Sequence, residues 1–217
     1  MTKHFGVEII SRKHGLRLTR ENYAEISNKN SLSKFDYDFY LDDEGKFYTE
    51  KWCKQQYIDV MTNFDLNMEY FSLLNHVKFE FEIVDFLRKN KDFKEVTDLS
   101  LFDGKSGYYL MILDDYCQIY IGISTNIYQR IRSHWNGRKQ FDRLLLPMGN
   151  VDGSTLSIDS FRALDTTRLY AFITDNIYDS EDDYINQFSP EFCGNRIGGG
   201  VISLPEAIAT LKTRKLK

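Results

Sequence analysis

Two runs of β-forming residues in the middle of the chain predict a β-hairpin. Gly107 to Leu113 is followed by Asp114-Asp115, which are typical of a turn, and Gln118 to Ile123 then resumes the apolar pattern. A hairpin that is symmetric about the two aspartates places Tyr109 directly opposite Tyr120. Because side chains alternate between the faces of a strand, one face is almost entirely apolar, and we predict that it forms the core. Its residues are Tyr108, Leu110, Ile112, Cys117, Ile119, Ile121 and Ile123.

The second face of this hairpin carries the candidate chemistry. It holds Tyr109, Met111, Gln118, Tyr120 and Gly122. Two phenols then lie beside a glycine, which leaves room for another group to approach the backbone. On the hairpin pattern alone, an ordinary aromatic pair across two strands is the simpler interpretation of the tyrosines.

The residues that follow the hairpin predict a helix that ends near Asn136. Any of the three residues from Ser124 to Asn126 can cap its N-terminus. Ile127, Ile131 and Trp135 recur at helical spacing and form the expected buried stripe. Arg130 and His134 lie together at the edge of that stripe, whereas Arg132 lies on the opposite side. An arginine at such an edge is commonly a surface residue, but an arginine and a histidine facing tyrosines fit a phosphate site.

The first hundred residues predict a mixed α/β region. Residues 35–41 alternate between apolar and polar side chains, and a turn and a return strand to Tyr48 complete a second predicted hairpin. Residues 68–87 are ambiguous. Tyr70, Leu74, Val77, Phe81 and Val84 fit one face of a helix, whereas residues 77–83 also alternate like a strand. The sequence leaves both interpretations open.

Composition limits the class of protein. The chain has 217 residues, of which 42% are hydrophobic and 28% charged, as in globular proteins. No apolar run approaches the ~20 residues that span a bilayer, and we expect no signal peptide because no apolar segment follows the N-terminus. Cys53, Cys117 and Cys193 show no C-x-x-C spacing, so neither a zinc site nor a disulfide framework is expected. We therefore expect a cytoplasmic protein.

The distribution of charge is more informative than its sum. The formal net charge of −4 argues against a protein that coats nucleic acid non-specifically. Residues 125–145, however, contain five basic residues and one acidic residue, and residues 151–200 contain nine acidic and three basic residues. A solvated surface commonly shows such a pattern. It also suits a metal site that faces a phosphate-binding surface.

Taken together, these motifs resemble the signature of the GIY-YIG nucleases. Gly107-Tyr108-Tyr109, ten further residues, Tyr120-Ile121-Gly122, and then Arg130 and His134 are similar to that signature in order and spacing. Downstream, residues 169–174 resemble the third strand of the family. Glu181, followed by Pro190, resembles the family's metal-binding helix, and Asn195 resembles its closing asparagine. The chain departs from the family pattern at Tyr108, at Ile123 where some relatives carry a lysine, and in the later position of Asn195.

The resemblance implies an α/β (α+β) fold, with a small three-stranded antiparallel sheet flanked by helices after the mixed α/β N-terminal region. We place the boundary near Leu101, which gives an accessory domain at 1–100 and a nuclease domain at 101–217. Every matched residue lies after Lys105, so residues 1–100 are expected to govern recognition, dimerisation or partner binding rather than chemistry.

The activity implied by the resemblance is a metal-dependent endonuclease that hydrolyses phosphodiester bonds. Glu181 would bind Mg²⁺ or Mn²⁺, and a single carboxylate is an ordinary magnesium ligand. The other roles implied are general base or its partner (Tyr109), a neighbour of that base or of the water (Tyr120), stabilisation of phosphoryl charge (Arg130), orientation (His134) and phosphate binding (Asn195). A free tyrosine has a pKa near ~10, so a base role requires a nearby cation to lower the pKa of Tyr109.

The expected substrate is DNA, and the sequence leaves RNA and a homodimer open. No membrane partner is expected. Related families act in restriction, defence and phage biology, and a stand-alone enzyme of that kind is the expectation here. The alternative is a catalytically silent module of the same fold that binds nucleic acid or protein.

Overall fold

The computed structural model describes residues 2–10, 15–26, 50–136, 144–145, 150–176 and 181–195, and these form a mixed α/β structure. Its helices are α1 (Arg20–Ile26), α2 (Glu50–Ser72), α3 (His76–Lys89), α4 (Ile127–Asn136) and α5 (Glu181–Ile185). Its strands are β1 (Thr2–His4), β2 (Val7–Ile9), β3 (Lys94–Glu95), β4 (Gly107–Leu113), β5 (Gln118–Ser124) and β6 (Arg168–Ile173). The predicted hairpin between residues 35 and 48 lies outside the described residues.

The main sheet is antiparallel and has the strand order β3-β6-β4-β5. The predicted hairpin forms β4 and β5, and the predicted third strand is β6. The sheet has four strands rather than the three expected, because Lys94 and Glu95 pair with Ala171 and Tyr170 along the outer edge of β6. This fourth strand comes from the first hundred residues. β1 and β2 form a separate two-stranded sheet.

The register of the β4–β5 hairpin differs from the predicted one by two residues. Tyr109 lies opposite Gly122, and Met111 lies opposite Tyr120. The prediction was wrong because the connection is a four-residue loop rather than a two-residue turn. Residues 114–116 form a 3₁₀ turn, and Cys117 takes a left-handed conformation with φ of 48° before β5 begins. A shift of two residues leaves every side chain on its predicted face.

Both faces of the sheet are buried. On the α3 face, which we define by Tyr108, Leu110 and Ile112, the strands pack against α3. On the α4 face, defined by Tyr109 and Met111, they pack against α4 and α2. The prediction that the first face is core is confirmed. The second face belongs to a second core.

The ambiguous segment around residues 68–87 is helical. α2 ends at Ser72, and Asn75 caps α3 by accepting a hydrogen bond from the backbone N–H of Lys78 at 3.0 Å. The buried side of α3, however, consists of Phe79, Ile83 and Phe86. Val77, Phe81 and Val84, which fitted the expected buried stripe, are 81%, 70% and 55% exposed. The helix carries apolar residues on two sides, so periodicity alone did not identify the side that faces the sheet.

The predicted domain boundary near Leu101 falls at no break in the packing. α3 covers one face of the sheet, and α2 contributes Val60, Met61 and Phe64 to the core on the other face. Residues on both sides of position 101 therefore share both cores. Within the described ranges, no helix is long and apolar enough to cross a membrane.

Candidate active site

Two glycines of the motif are required by close contacts rather than by a ligand. Gly107 has φ of 147°, and a Cβ atom there would lie 2.0 Å from the carbonyl oxygen of Phe172 on β6. A Cβ atom at Gly122 would lie 2.2 Å from the hydroxyl oxygen of Tyr109. The room that Gly122 leaves is therefore filled by the Tyr109 ring, which crosses it from the neighbouring strand.

A line of three side chains leads from β4 through α4 to the segment before β6. The hydroxyl oxygen of Tyr109 lies 2.8 Å from Nε2 of His134, and Nδ1 of His134 lies 2.6 Å from Oδ1 of Asp159. His134 lies on helix α4. Asn126 caps the N-terminus of this helix by accepting a hydrogen bond from the backbone N–H of Gln129 at 3.1 Å. The predicted cap and the predicted buried stripe of α4 are both confirmed. His134 is buried together with that stripe.

Tyr120 lies beside this line on the same face of the sheet. Its ring centroid is 5.1 Å from that of His134 and 6.2 Å from that of Tyr109. The two tyrosines differ in access to solvent, because Tyr109 is fully buried whereas Tyr120 is partly buried. Of the two tyrosines that the sequence left open as candidate base, Tyr120 is the less buried.

Burial sets the acidity of both phenols. It raises the pKa of Tyr109 well above its ordinary value, and Tyr120 raises it further, while Arg130 opposes the shift only in part. Burial also raises the pKa of Tyr120, again against an opposing effect of Arg130. Arg130 acts in the expected direction on the pKa of Tyr109, but desolvation of the phenolate outweighs the guanidinium.

Arg130 is the positive charge of the site. It lies at the edge of the buried stripe of α4 and is exposed, although the pattern predicted that it faces the protein rather than solvent, and its guanidinium approaches the Tyr109 hydroxyl. Electrostatic interactions also connect it with Tyr120 and Asp159. Arg132 points elsewhere, with its guanidinium over the ring of Tyr128 at 5.2 Å from the centroid. The two arginines of one helix therefore have different surroundings.

Glu181 begins α5 and is partly buried near the same cluster. Burial raises the pKa of its carboxyl group, the adjacent Asp182 adds to this, and Arg130 opposes it. Glu181 also acts electrostatically on Tyr109 and Tyr120. A carboxylate whose charge is disfavoured by burial is stabilised by a bound cation, so the site fits a single-carboxylate Mg²⁺ or Mn²⁺ ligand. In the described part of the chain, no group of three or more His, Cys, Asp or Glu side chains is placed to hold a metal ion.

Asn195 does not join the other predicted residues. Its Nδ2 donates to the carbonyl oxygen of Ile121 at 2.7 Å, and its Oδ1 accepts from the N–H of Ile121 at 3.1 Å. Just before it, the N–H of Gly194 donates to the carbonyl oxygen of Ile119 at 2.6 Å. Residues 193–195 therefore lie along the outer edge of β5, and both polar groups of Asn195 bind backbone instead of facing a phosphate.

The structure thus brings together Tyr109, Tyr120, Arg130, His134 and Glu181, and adds Asp159, which the sequence did not single out. Asp159 lies 25 residues after His134, within a segment of irregular pattern between α4 and β6. Ser157 caps the turn that contains Asp159 by accepting a hydrogen bond from the backbone N–H of Asp159. A capped turn is a local structural signal and does not indicate chemistry. Only the fold brings this carboxylate to the histidine.

No family model, no curated protein and no solved structure matches this chain. The similarity to the GIY-YIG nucleases therefore depends on the motif residues and their spacing.

Proposed function

We propose that this protein is a metal-dependent endonuclease that hydrolyses phosphodiester bonds in DNA. The observation that carries the proposal is the hydrogen-bonded line from Tyr109 through His134 to Asp159, next to the guanidinium of Arg130. A line of this kind accepts and moves a proton, and an adjacent guanidinium stabilises negative charge on a phosphoryl group. These are two of the requirements for hydrolysis of a phosphodiester.

The proton of the attacking water leaves through the two tyrosines. As the water oxygen forms its bond to phosphorus, its proton passes to the hydroxyl oxygen of Tyr120, the less buried of the two tyrosines. The proton of Tyr120 passes to Tyr109, and the proton of Tyr109 passes to Nε2 of His134, 2.8 Å away. The bond from phosphorus to the leaving oxygen breaks, and that oxygen takes a proton from solvent.

This route does not require a stable tyrosinate. Burial raises the pKa of Tyr109, so an isolated phenolate is unfavourable at neutral pH. In the relay, each phenol loses one proton as it gains another, and the net positive charge appears on the imidazole beside Asp159. The raised pKa of the phenol therefore suits a relay better than a free base.

Arg130 and Glu181 act on the phosphate itself. Arg130 stabilises the charge that develops on the phosphoryl oxygens, an interaction that strengthens in the transition state. Glu181 would hold Mg²⁺ or Mn²⁺, which supplies further positive charge to those oxygens when bound.

A plasmid-nicking assay tests the proposal. Full-length protein is incubated with supercoiled plasmid, single-stranded DNA or RNA, with Mg²⁺ or with EDTA. We expect nicking of plasmid with Mg²⁺, none with EDTA, and a loss of at least about 10²-fold in Glu181→Ala. Asp183→Ala is the matched control, since Asp183 is an exposed carboxylate on the same short helix. Undiminished cutting in EDTA or by Glu181→Ala removes the metal assignment.

A second candidate is a silent module that binds nucleic acid without cutting it. The complete burial of Tyr109 favours it, because that hydroxyl has no direct contact with solvent. Such a module retards DNA in a gel equally with and without Mg²⁺ and nicks none of the three substrates. In that case Glu181→Ala changes neither measurement.

A further inference from the structure

Asp159 reaches the site from a segment that has no counterpart in the motif. It lies in a 3₁₀ turn, residues 158–160, between α4 and β6. Its side chain is 25% exposed, whereas that of His134 is 3% exposed. The carboxylate therefore lies at the boundary between the buried imidazole and solvent, on the side of His134 away from Tyr109.

We propose that Asp159 is a positioning residue that keeps the proton of neutral His134 on Nδ1, so that Nε2 is free to receive the Tyr109 proton. The inference builds on the proposed function, because it assigns a direction to the proton relay. It makes a statement about the imidazole, however, that is measurable whether or not the protein cuts DNA.

For a neutral imidazole, the geometry admits only one arrangement that satisfies all three groups. An ionised carboxylate accepts hydrogen bonds but donates none, and a neutral imidazole carries one proton on its two nitrogens. At 2.6 Å from Asp159, Nδ1 must donate, because a nitrogen lone pair facing the carboxylate would be repelled. Nε2 is then an acceptor, and the Tyr109 hydroxyl at 2.8 Å must donate to it.

Contacts with α2 hold the segment that carries Asp159. The side-chain amides of Asn63 and Asn67 donate to the carbonyl oxygen of Ser154 at 2.6 and 3.0 Å, and Asn63 also donates to that of Val151 at 2.6 Å. Nη1 of Arg162 donates to the carbonyl oxygen of Asp159 itself at 3.2 Å. A helix from the first hundred residues thus supports the position of the carboxylate.

Long-range ¹H–¹⁵N NMR of histidine-labelled, full-length protein at about pH 8 tests the assignment, because the two neutral tautomers differ in their nitrogen shifts. We expect the Nδ1–H tautomer for His134 in the native protein and in Tyr109→Phe. In Asp159→Ala we expect the signal to move toward the Nε2–H tautomer. Asp152→Asn removes the same charge from an exposed position of the same segment and should leave the tautomer unchanged.

Two results overturn the proposal. One is a native His134 that is Nε2–H or doubly protonated at pH 8, which requires no variant and no activity. The other is a tautomer that persists in Asp159→Ala. If it persists there and is lost in Tyr109→Phe, the tyrosine rather than the aspartate sets it.

The nicking rate supplies an independent readout. We expect Asp159→Ala to lower kcat by about 10²-fold with little change in KM, since it removes orientation of the proton acceptor and no contact with DNA. Asp159→Glu keeps a carboxylate and should regain part of that loss, whereas Asp152→Asn should lie within about twofold of the native rate. Native protein that never nicks DNA contradicts the proposed function alone. A tautomer that fails to respond to Asp159 contradicts the present inference alone.

Discussion

The two faces of the central sheet are built from alternate residues of the same strands, yet they have different contents. Tyr108 on the α3 face packs among aromatic rings, with its ring stacked on Phe172 at 6.0 Å. Tyr109, one residue later on the α4 face, directs its hydroxyl to His134. Both tyrosines are almost completely buried. Burial therefore does not distinguish the two phenols, whereas the hydrogen bond of Tyr109 to His134 does.

The difference arises from what each face packs against. The α3 face meets the apolar side of one helix and the aromatic residues Phe93, Phe188 and Phe192. The α4 face meets an arginine, a histidine, two carboxylates and a second tyrosine, which come from four separate elements besides β4. Both faces contain a hydrophobic core, and the α4 face combines its core with this charged cluster. The following predictions test that division.

Removal of residues 1–100 should have the largest effect, because it uncovers the α3 face. Phe79, Ile83 and Phe86 each contribute roughly 1.5–3 kcal/mol on burial, about 5–9 kcal/mol together. That is comparable with the ~5–15 kcal/mol that stabilises a typical domain. We therefore expect a chain that begins at Leu101 to show no cooperative thermal unfolding. A cooperative transition in this truncated chain would establish 101–217 as an independent domain.

Two phenylalanines on α3 provide the matched control in the full chain. Phe79 is 2% exposed against the sheet, and Phe81 is 70% exposed on the other side of the helix. Phe79→Ala should lower the free energy of unfolding by about 3–5 kcal/mol, and Phe81→Ala by less than about 0.5 kcal/mol. Chemical denaturation measures both.

Substitution of Arg130 should give the largest loss of activity at constant stability. Arg130→Ala should lower the nicking rate roughly 10³-fold, by analogy with arginines that stabilise phosphoryl transfer, and should weaken DNA binding far less. Arg132→Ala removes the same charge from the same helix. Because Arg132 contacts the ring of Tyr128 instead of the cluster, this variant should change the rate by less than about fivefold. Equal losses in the two variants would mean that α4 is merely a basic patch.

Replacement of the two adjacent tyrosines by phenylalanine compares the faces directly. Tyr109→Phe removes the hydroxyl that binds His134 and should lower kcat about 10²-fold. Tyr108→Phe removes a hydroxyl from the aromatic core and should leave kcat within about twofold. Steady-state nicking at saturating plasmid measures both rates. If the two variants lose activity equally, the α4 face has no special role in the chemistry.

The smallest expected effect concerns Asp165, a buried carboxylate in the core of the α4 side. Burial raises its pKa, although hydrogen bonds from Arg162, Leu18 and Tyr116 oppose the shift. Because the pKa is higher in the folded than in the unfolded state, protonation favours folding, and this stabilisation is lost as pH rises from near 4 through the folded pKa. The free energy of unfolding of Asp165→Asn, measured relative to that of the native protein, should therefore be higher at pH 7 than at pH 4. Chemical denaturation at both pH values tests the sign.

Local periodicity was sufficient to predict the contents of each face and the helix that follows. The alternation in β4 and β5 assigned every side chain to the correct face, and the stripe from Ile127 to Trp135 was also correct. The cap is Asn126, one of the three residues from Ser124 to Asn126 that the sequence offered. These features depend on residues within a few positions of one another, which a sequence displays directly.

The features that the sequence did not predict depend on loop geometry and on distant contacts. The register of Tyr109 depends on the left-handed conformation of Cys117 in a four-residue loop. The buried side of α3 depends on which of two apolar stripes meets the sheet. The family resemblance assigned Asn195 to a phosphate, and the hydrogen bonds of Asn195 to the backbone of Ile121, 74 residues away, have no side-chain signal in the sequence. Asp159 likewise becomes significant only through the fold.

The covering of β5 by residues 193–195 has a consequence during synthesis of the chain. β5 is the last strand of its sheet, and an uncovered strand edge is a template for pairing with other chains. At about 5–20 residues per second, the ~70 residues that separate β5 from Asn195 take roughly 4–14 s to be translated. During that interval the N–H and C=O of Ile121 have no partner from Asn195. The edge of β5 is therefore covered only after residues 193–195 have been made.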